Sequence, residues 1–242
     1  MNAPPPDATP GRRRRLALLV ALLLAVGLGA AAVLLAPVLR GGGRYAQVGA
    51  LDPIDRSREY KDAALLQRAW ALPVAAQYRR GGIDWQKNAS FCGPASVVNV
   101  LRSLGQAADQ EHLLEGTGIT TVLGFLPGGM TLDRLAELVR GRTGRRVTVL
   151  RELDRAAFRR HLESTSDPWR RYIVNFHRGP LFGRGGGHHA PLGGYLKDAD
   201  RVLVLDVNRE YGPWLVRADR LYEAVDTVDP ISGKKRGLLL IE

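Results

Sequence analysis

The chain has 242 residues, which is enough for one catalytic domain of ordinary size but not for two large ones. Hydrophobic residues make up 45% of it, which excludes wholesale disorder, and the single cysteine, Cys92, excludes an intramolecular disulfide and a multi-cysteine metal cluster. The 35 Lys and Arg exceed the 24 Asp and Glu, for a net charge of +11. The arginines are spread along the chain rather than gathered in a basic stripe with interleaved aromatic residues, so we expect no nucleic-acid binding.

A long apolar segment follows a run of N-terminal arginines. Residues 1–15 end in four arginines, and residues 16–39 carry no charge. About 20 apolar residues let a helix cross a bilayer, whereas the apolar core of a cleaved signal peptide has only about 7–15. We therefore expect a cytoplasmic N-terminus, a single transmembrane anchor (16–39), a tether (40–58) and a folded domain (59–242) on the periplasmic side of the inner membrane. A small-residue site at 30–32 leaves a cleaved signal as the alternative.

The folded domain is predicted to begin with helices and to end with antiparallel strands, which is an α+β arrangement. A hairpin connection is expected at 197–200, between two apolar runs. The predicted helices are 59–72, 92–104, 131–139 and 154–162, and the predicted strands are 147–150, 172–176, 190–196, 202–207 and 238–241.

Cys92 lies where a loop turns into a predicted helix. The free N–H groups and the dipole at a helix N-terminus stabilise a thiolate, which is the nucleophilic form of cysteine. A buried structural thiol is the alternative. Gln86, six residues earlier, is at a spacing at which papain-like enzymes use a glutamine N–H to bind an oxyanion.

Three histidines are candidates for the base that activates this thiol. His188 and His189 follow a glycine-rich stretch at the start of a predicted strand, and His177 follows an earlier strand. Because successive strand residues point to opposite faces, we expect only one of His188 and His189 to meet Cys92. If the hairpin at 197–200 forms, Asp206 comes beside His188 and can orient its ring.

These candidates lie in segments that together resemble the phytochelatin synthase family. The segments occur in the family's order and cover most of the chain between residues 84 and 241. They are WQKNASFCGPASVVNVL (85–101), YIVNFHR (172–178), GHHAPLGGY (187–195), LVLDVNR (203–209) and ISGKKRG (231–237).

The resemblance implies a papain-like fold with a catalytic triad of Cys92, His188 and Asp206, and Gln86 at the oxyanion. It implies a thiol acyltransferase or hydrolase acting on glutathione. Glycine leaves, and the γ-glutamylcysteinyl group on Cys92 passes to water or to another glutathione. The chain resembles the short bacterial form, which acts mainly as a glutathione hydrolase. No cofactor bound by the protein is implied, and heavy-metal ions enter as thiolate complexes of the substrate or as activators.

Substrate contacts are expected from a few further residues. Arg178, Arg209 and Arg236 can each offer a bidentate fork to a carboxylate, with a surface salt bridge as the alternative for each. Asn175 is a further candidate for substrate binding. The family usually has an aromatic residue where this chain has His189, so we expect His189 to pack on the face opposite Cys92.

Two other functions remain open from the sequence. An exported cysteine peptidase of the type that cleaves bacteriocin leaders shares the spacing between Gln86 and Cys92 and a histidine followed by an aspartate. A tethered papain-like module without catalysis is the other alternative, although the four candidate catalytic residues are intact. No oligomeric state is predicted.

Overall fold

The computed structural model describes residue 15, residues 18–26, residue 29 and residues 57–242. The chain divides into two compact units, Met1–Gly42 and Gly43–Glu242. In the first unit, residues 18–26 are helical. None of the helices in the described part of the chain is long and apolar enough to cross a membrane. The rest of the predicted segments 1–15, 16–39 and 40–58 lies outside the described residues.

Side-chain caps set the start of three helices in the second unit. Asp62, Thr131 and Asp154 each accept a hydrogen bond from the backbone N–H three residues later. Because Asp62 starts a new helix, the single helix predicted over 59–72 is two short ones. The helices are α1 (Arg58–Lys61), α2 (Ala63–Trp70), α3 (Pro73–Gly81), α4 (Cys92–Ser103), α5 (Leu132–Arg142), α6 (Arg155–Glu163), α7 (Gly179–Phe182) and α8 (Ala218–Val225).

Six strands form one antiparallel sheet in the order β1-β6-β2-β3-β4-β5. The predicted hairpin is confirmed, because Leu196 pairs with Arg201 across the turn. A β-bulge between Leu192 and Gly194 shifts the register within that hairpin. The strands are β1 (Val147–Arg151), β2 (Arg171–His177), β3 (Gly187–Leu196), β4 (Arg201–Leu205), β5 (Pro213–Val216) and β6 (Gly237–Ile241).

Each face of the sheet carries its own hydrophobic core. Alternate residues of β2 divide between them: Ile173 packs with α3, α4 and α5, whereas Tyr172 and Val174 pack with α6 and α8. The two layers of helices therefore enclose the sheet, and the predicted α+β class is confirmed. Helix α3, helix α8 and strand β5 were not predicted, and they are nine, eight and four residues long.

Candidate active site

Cys92 is the first residue of α4, and the loop before it is held firmly. Asn99 of α4 accepts a hydrogen bond from the Asp84 backbone N–H and donates to its carbonyl, both at 2.8 Å. The Asn88 carboxamide accepts from the backbone N–H and the hydroxyl of Ser90, which forms the last turn before the helix. The thiol is thereby fixed at a helix N-terminus, as the sequence predicts, with only 7% of the residue exposed.

The β3–β4 hairpin brings His188 and Asp206 together. His188 Nε2 donates to Asp206 Oδ1 at 2.8 Å, and both side chains are buried. The Asp206 carboxylate also accepts from the backbone N–H of Asn208 at 2.9 Å. The hydrogen bond between His188 and Asp206 orients the imidazole and leaves Nδ1 as the ring nitrogen available to the thiol.

Asp206 is surrounded by two further donors from other parts of the fold. Arg178 Nη2 lies 2.8 Å from Oδ2 and 3.0 Å from Oδ1, and the Trp214 indole N–H donates to Oδ2 at 3.2 Å. The Arg178 guanidinium also lies over the Tyr211 ring, at 3.6 Å from its centroid. The carboxylate is fully buried, so these donors replace the water that it would have outside the protein.

His189 contacts Cys92, so the expectation that it packs on the face opposite Cys92 is wrong; His188 acts on the same thiol through its charge and a hydrogen bond. His189 Nδ1 lies 3.8 Å from the Cys92 sulfur, and the ring is 2% exposed. The alternation itself holds: His188 pairs with Phe176 and packs on its ring, whereas His189 pairs with Asn175 on the other face. The thiol lies beside the first residues of β3, where side chains from both faces reach it.

The charges of the site stabilise a thiolate and an imidazolium together. Burial raises the pKa of the Cys92 thiol, but the charge of His188 and hydrogen bonds from both histidines bring it well below its usual range. Burial and Arg178 lower the pKa of His188, but Asp206 and Cys92 raise it above its usual value. Burial also raises the pKa of Asp206, whereas Arg178 and His188 hold it far below the usual range. At neutral pH the site therefore contains a nucleophile, a proton donor and a carboxylate that orients it.

The family model for phytochelatin synthase matches residues 60–238, which include every residue of this site. The chain belongs to the phytochelatin synthase family.

The curated relatives that match this chain are named glutathione gamma-glutamylcysteinyltransferase. Glutathione gamma-glutamylcysteinyltransferase 1 of Arabidopsis thaliana is 39% identical over 92 residues, covering 33% of this chain and 19% of its own length. Glutathione gamma-glutamylcysteinyltransferase of Schizosaccharomyces pombe is 26% identical over 170 residues, covering 65% of this chain and 41% of its own length. The chain thus spans less than half the length of these relatives.

Two of the solved structures that match this chain are a peptidase domain and a protease. The peptidase domain of Streptococcus ComA, a bifunctional ABC transporter, is 16% identical with a TM-score of 0.45, and the match covers 65% of this chain and 93% of that one. A double-glycine motif protease from an AMS/PCAT transporter is 14% identical with a TM-score of 0.42, covering 66% of this chain and 89% of that one.

Gln86 is hydrogen-bonded to the segment that follows β4 and contains Asp206. Its backbone N–H donates to the Val207 carbonyl at 2.8 Å, and the Val207 side chain packs against Cys92. The Gln86 side-chain amide donates to the Asn88 carbonyl at 3.0 Å, and its own oxygen is buried without a hydrogen-bond partner. Its use at the oxyanion stays a prediction.

Asn175 and Arg236 lie together beside the triad. Arg236 Nη1 donates to Asn175 Oδ1 at 3.3 Å, and Asn175 donates to the His188 carbonyl at 3.2 Å. Arg236 is 4% exposed and its Nε has no partner. Burial lowers the pKa of Arg236, whereas Asp229 and Cys92 raise it. The effect of Cys92 indicates that this cation lies within electrostatic reach of the nucleophile. A side chain on Gly187 would clash with the guanidinium, so the glycine permits this approach.

The other two arginines occupy different surroundings. Arg209 is exposed, with its guanidinium 5.9 Å from the Trp85 ring centroid, next to Gln86 in sequence. Arg178 is buried and bound to Asp206, which is neither the open carboxylate site nor the surface salt bridge that the sequence suggested. The structure instead gives Arg178 a role in holding the triad carboxylate.

The remaining histidines, His177, His112 and His161, interact with other groups. His177 Nδ1 accepts from the Gly179 backbone N–H at 3.0 Å, His112 binds the exposed Asp109, and His161 Nδ1 lies 3.2 Å from the Tyr172 hydroxyl. Across the part of the chain that the structure describes, no group of three or more His, Cys, Asp or Glu side chains is arranged to hold a metal ion.

Sequence reasoning missed the groups that surround the triad from outside its own hairpin. Trp214 lies on the unpredicted strand β5, and Asp229 faces Arg236 at 3.7 Å from a loop. The only available signal for Trp214 was a three-residue apolar run after Pro213, which is too short to establish a strand.

Proposed function

We propose that the chain is a glutathione-processing thiol acyltransferase or hydrolase with a papain-like arrangement, in which Cys92 at the start of α4 faces a sheet that carries His188 and Asp206. The observation that carries the proposal is the buried Cys92 thiol, whose pKa lies well below its usual range beside the His188–Asp206 pair. It occurs in a chain matched to the phytochelatin synthase family over residues 60–238. The names of the curated relatives supply the substrate.

The reaction follows from the charges of the site. The Cys92 thiolate attacks the carbonyl of the Cys–Gly bond in glutathione, and the oxyanion is bound by the Cys92 backbone N–H and by Gln86. The C–N bond breaks, and His188 donates its proton to the departing amino group of glycine. The resulting thioester is attacked by water or by another glutathione, whose proton passes to His188, and the Cys92 thiolate is restored.

Arg236 is the residue that we assign to a carboxylate of glutathione. It is a buried cation beside the triad, its salt-bridge partner Asp229 lies 3.7 Å away, and its Nε has no hydrogen-bond partner. It also lies within electrostatic reach of Cys92. Arg209 is exposed beside Trp85, and we expect it to bind the substrate more weakly. The guanidinium of Arg178 is already bound to Asp206.

The test is release of free glycine from glutathione by the purified full chain. We expect glycine release, with a mass increase on Cys92 equal to the γ-glutamylcysteinyl group after rapid acid quenching. Cys92→Ser removes both while the circular dichroism spectrum is unchanged. A parallel incubation with a double-glycine leader peptide tests the peptidase alternative. Cleavage of that peptide without glycine release from glutathione would overturn the proposal.

Heavy-metal ions belong to this proposal only as thiolate complexes of glutathione or as activators. Glycine release measured with and without Cd²⁺ at fixed glutathione distinguishes a metal-dependent synthase from a metal-independent hydrolase. We expect release without added metal, since the thiolate and its imidazolium partner are contributed by the chain itself. A strict requirement for the ion would contradict this.

We further propose that a membrane anchor tethers the domain on the periplasmic side. The support is the uncharged run 16–39 behind four arginines. A reporter enzyme fused after Glu242 should be active only outside the cytoplasm and should stay with the membrane fraction. Activity only in the cytoplasm would refute the orientation, and a mature soluble form beginning near residue 37 would establish the cleaved signal instead.

A further inference from the structure

A second imidazole faces the nucleophile and is not used in the reaction described above. His189 Nδ1 lies 3.8 Å from the Cys92 sulfur, and the residue is 2% exposed. The distance is within the range of a hydrogen bond to sulfur, which is longer than one to oxygen. His189 therefore contacts a reacting atom.

The two ring nitrogens of His189 have different surroundings. Nδ1 faces the sulfur, whereas Nε2 is buried and has no hydrogen-bond partner. A neutral imidazole carries one N–H and one lone pair. If the proton were on Nε2, a buried donor would be left without an acceptor, which is unfavourable. With the proton on Nδ1, the N–H points at the Cys92 sulfur, and the orphaned Nε2 is only an acceptor.

The charged groups around Cys92 act differently from this donor. On β3, His188 carries a charge that depends on its own proton. From the segment before β6, Arg236 contributes a permanent positive charge, partly offset by Asp229. Behind His188, the Arg178 charge is matched by Asp206. An N–H of His189 adds a hydrogen bond to the sulfur, which is a separate contact from the charges of these groups.

We propose that His189 is a second hydrogen-bond donor to the nucleophile: its Nδ1–H binds the Cys92 thiolate whether His188 is protonated or neutral. The consequence for turnover rests on the proposed function. When the thioester is hydrolysed, water adds to the carbonyl and gives a proton to His188. The carbon–sulfur bond then breaks, and its electron pair returns to the Cys92 sulfur. The resulting thiolate accepts a hydrogen bond from the His189 Nδ1–H. His189 therefore favours breakdown of the acyl-enzyme.

The direct test is the pH dependence of Cys92 alkylation by iodoacetamide in the full chain. Cys92 is the single cysteine of the sequence, so the incorporated label reports on it alone. His189→Phe keeps an aromatic ring at this position and removes the donor. We expect the acid limb of the profile to move up by about one pH unit, the size of one hydrogen bond to a charged group. His189→Asn keeps an N–H near the position of Nδ1 and should return the limb most of the way.

His112→Asn is the matched control, because His112 is an exposed histidine bound to Asp109, and it should leave the profile unchanged. Profiles of His189→Phe and wild type that superimpose would overturn the proposal. Equal shifts in the Phe and Asn variants would also overturn it, because packing alone would then explain them. If His189→Phe does not fold, ¹⁵N NMR of the wild-type imidazoles decides: a proton on Nε2 of His189 refutes the donor. Alkylation needs no glutathione, so a failure here is separate from a failure of the proposed substrate.

With glutathione as substrate, the same variant gives a second readout. Burst and steady-state measurements of glycine release separate formation of the acyl-enzyme from its breakdown. We expect His189→Phe to slow breakdown more than formation, so that the labelled acyl-enzyme accumulates in the steady state. Less acyl-enzyme than in wild type would contradict the assigned step.

Discussion

The guanidinium of Arg178 binds the carboxylate of Asp206, with Nη2 at 2.8 Å from Oδ2 and 3.0 Å from Oδ1, and both side chains are buried. The two residues come from different elements, since Arg178 follows β2 and Asp206 follows β4. Asp206 therefore has two cationic partners, Arg178 and His188. Arg178 keeps the carboxylate ionised, and its own charge limits how far the pKa of His188 is raised.

Replacement of Arg178 should therefore affect both stability and the pH profile. Arg178→Gln leaves a buried carboxylate with one cationic partner fewer, and we expect the free energy of unfolding to fall by about 3 kcal/mol. The pKa of His188 should rise, because a repelling charge is lost, so the alkaline limb of glycine release should move to higher pH. Urea unfolding and a pH–rate profile measure the two effects. Arg209→Gln is the control for stability, because that side chain is exposed, and a loss as large there would contradict the argument.

His188 should be the base, despite the proximity of His189. Because His188 alone of the two is bound to Asp206, His188→Ala should lower glycine release by about a hundredfold or more. It should also raise the apparent pKa of the Cys92 thiol, since the imidazolium is its largest stabilising charge. His161→Ala, a partly buried histidine beside Tyr172, serves as the control. The assignment is refuted if His189→Ala abolishes turnover while His188→Ala retains it.

Asp206 should make stability depend on pH at the acid end. Its pKa is lower in the folded chain than in the unfolded one, so its contribution is present above about pH 4 and is lost as the pH falls through the folded-state pKa. Asp206→Asn removes this group, and its free energy of unfolding should fall less steeply than that of wild type below pH 4. Urea titrations from pH 7 to pH 3 provide the comparison. Parallel curves for the two proteins would show that Asp206 is not the titrating group.

Gln86 should act on the rate without changing the nucleophile. If its amide binds the oxyanion, Gln86→Ala should reduce kcat by about a hundredfold to a thousandfold. The pH profile of Cys92 alkylation should stay as in wild type, because the hydrogen bonds and charges on the thiol come from other residues. Gln67→Ala, on the exposed side of α2, should change neither quantity. A shifted alkylation profile in Gln86→Ala would indicate that the loop had moved instead.

Local chemistry along the sequence determined much of the fold and the centre of the candidate site. Pro94 and Gly105 bracket a helix that starts at Cys92, and the side chains of Thr131 and Asp154 cap the helices predicted there. The hairpin about 197–200 was predictable from two apolar runs. Antiparallel pairing then brought the start of β3 beside Asp206, and the β-bulge between Leu192 and Gly194, which the sequence did not predict, put His188 on the same face as Asp206.

Only the tertiary structure decided which further groups meet at those residues. Strand alternation correctly assigned His188 and His189 to opposite faces, but it contains no information on where a helix 97 residues earlier places its sulfur. The same holds for Arg178 and Trp214, which reach Asp206 from separate elements. Periodicity reports which way a side chain points relative to its own element. The position of that element against the others is set by packing of both cores against the sheet, and this packing placed two histidines instead of one at the thiol.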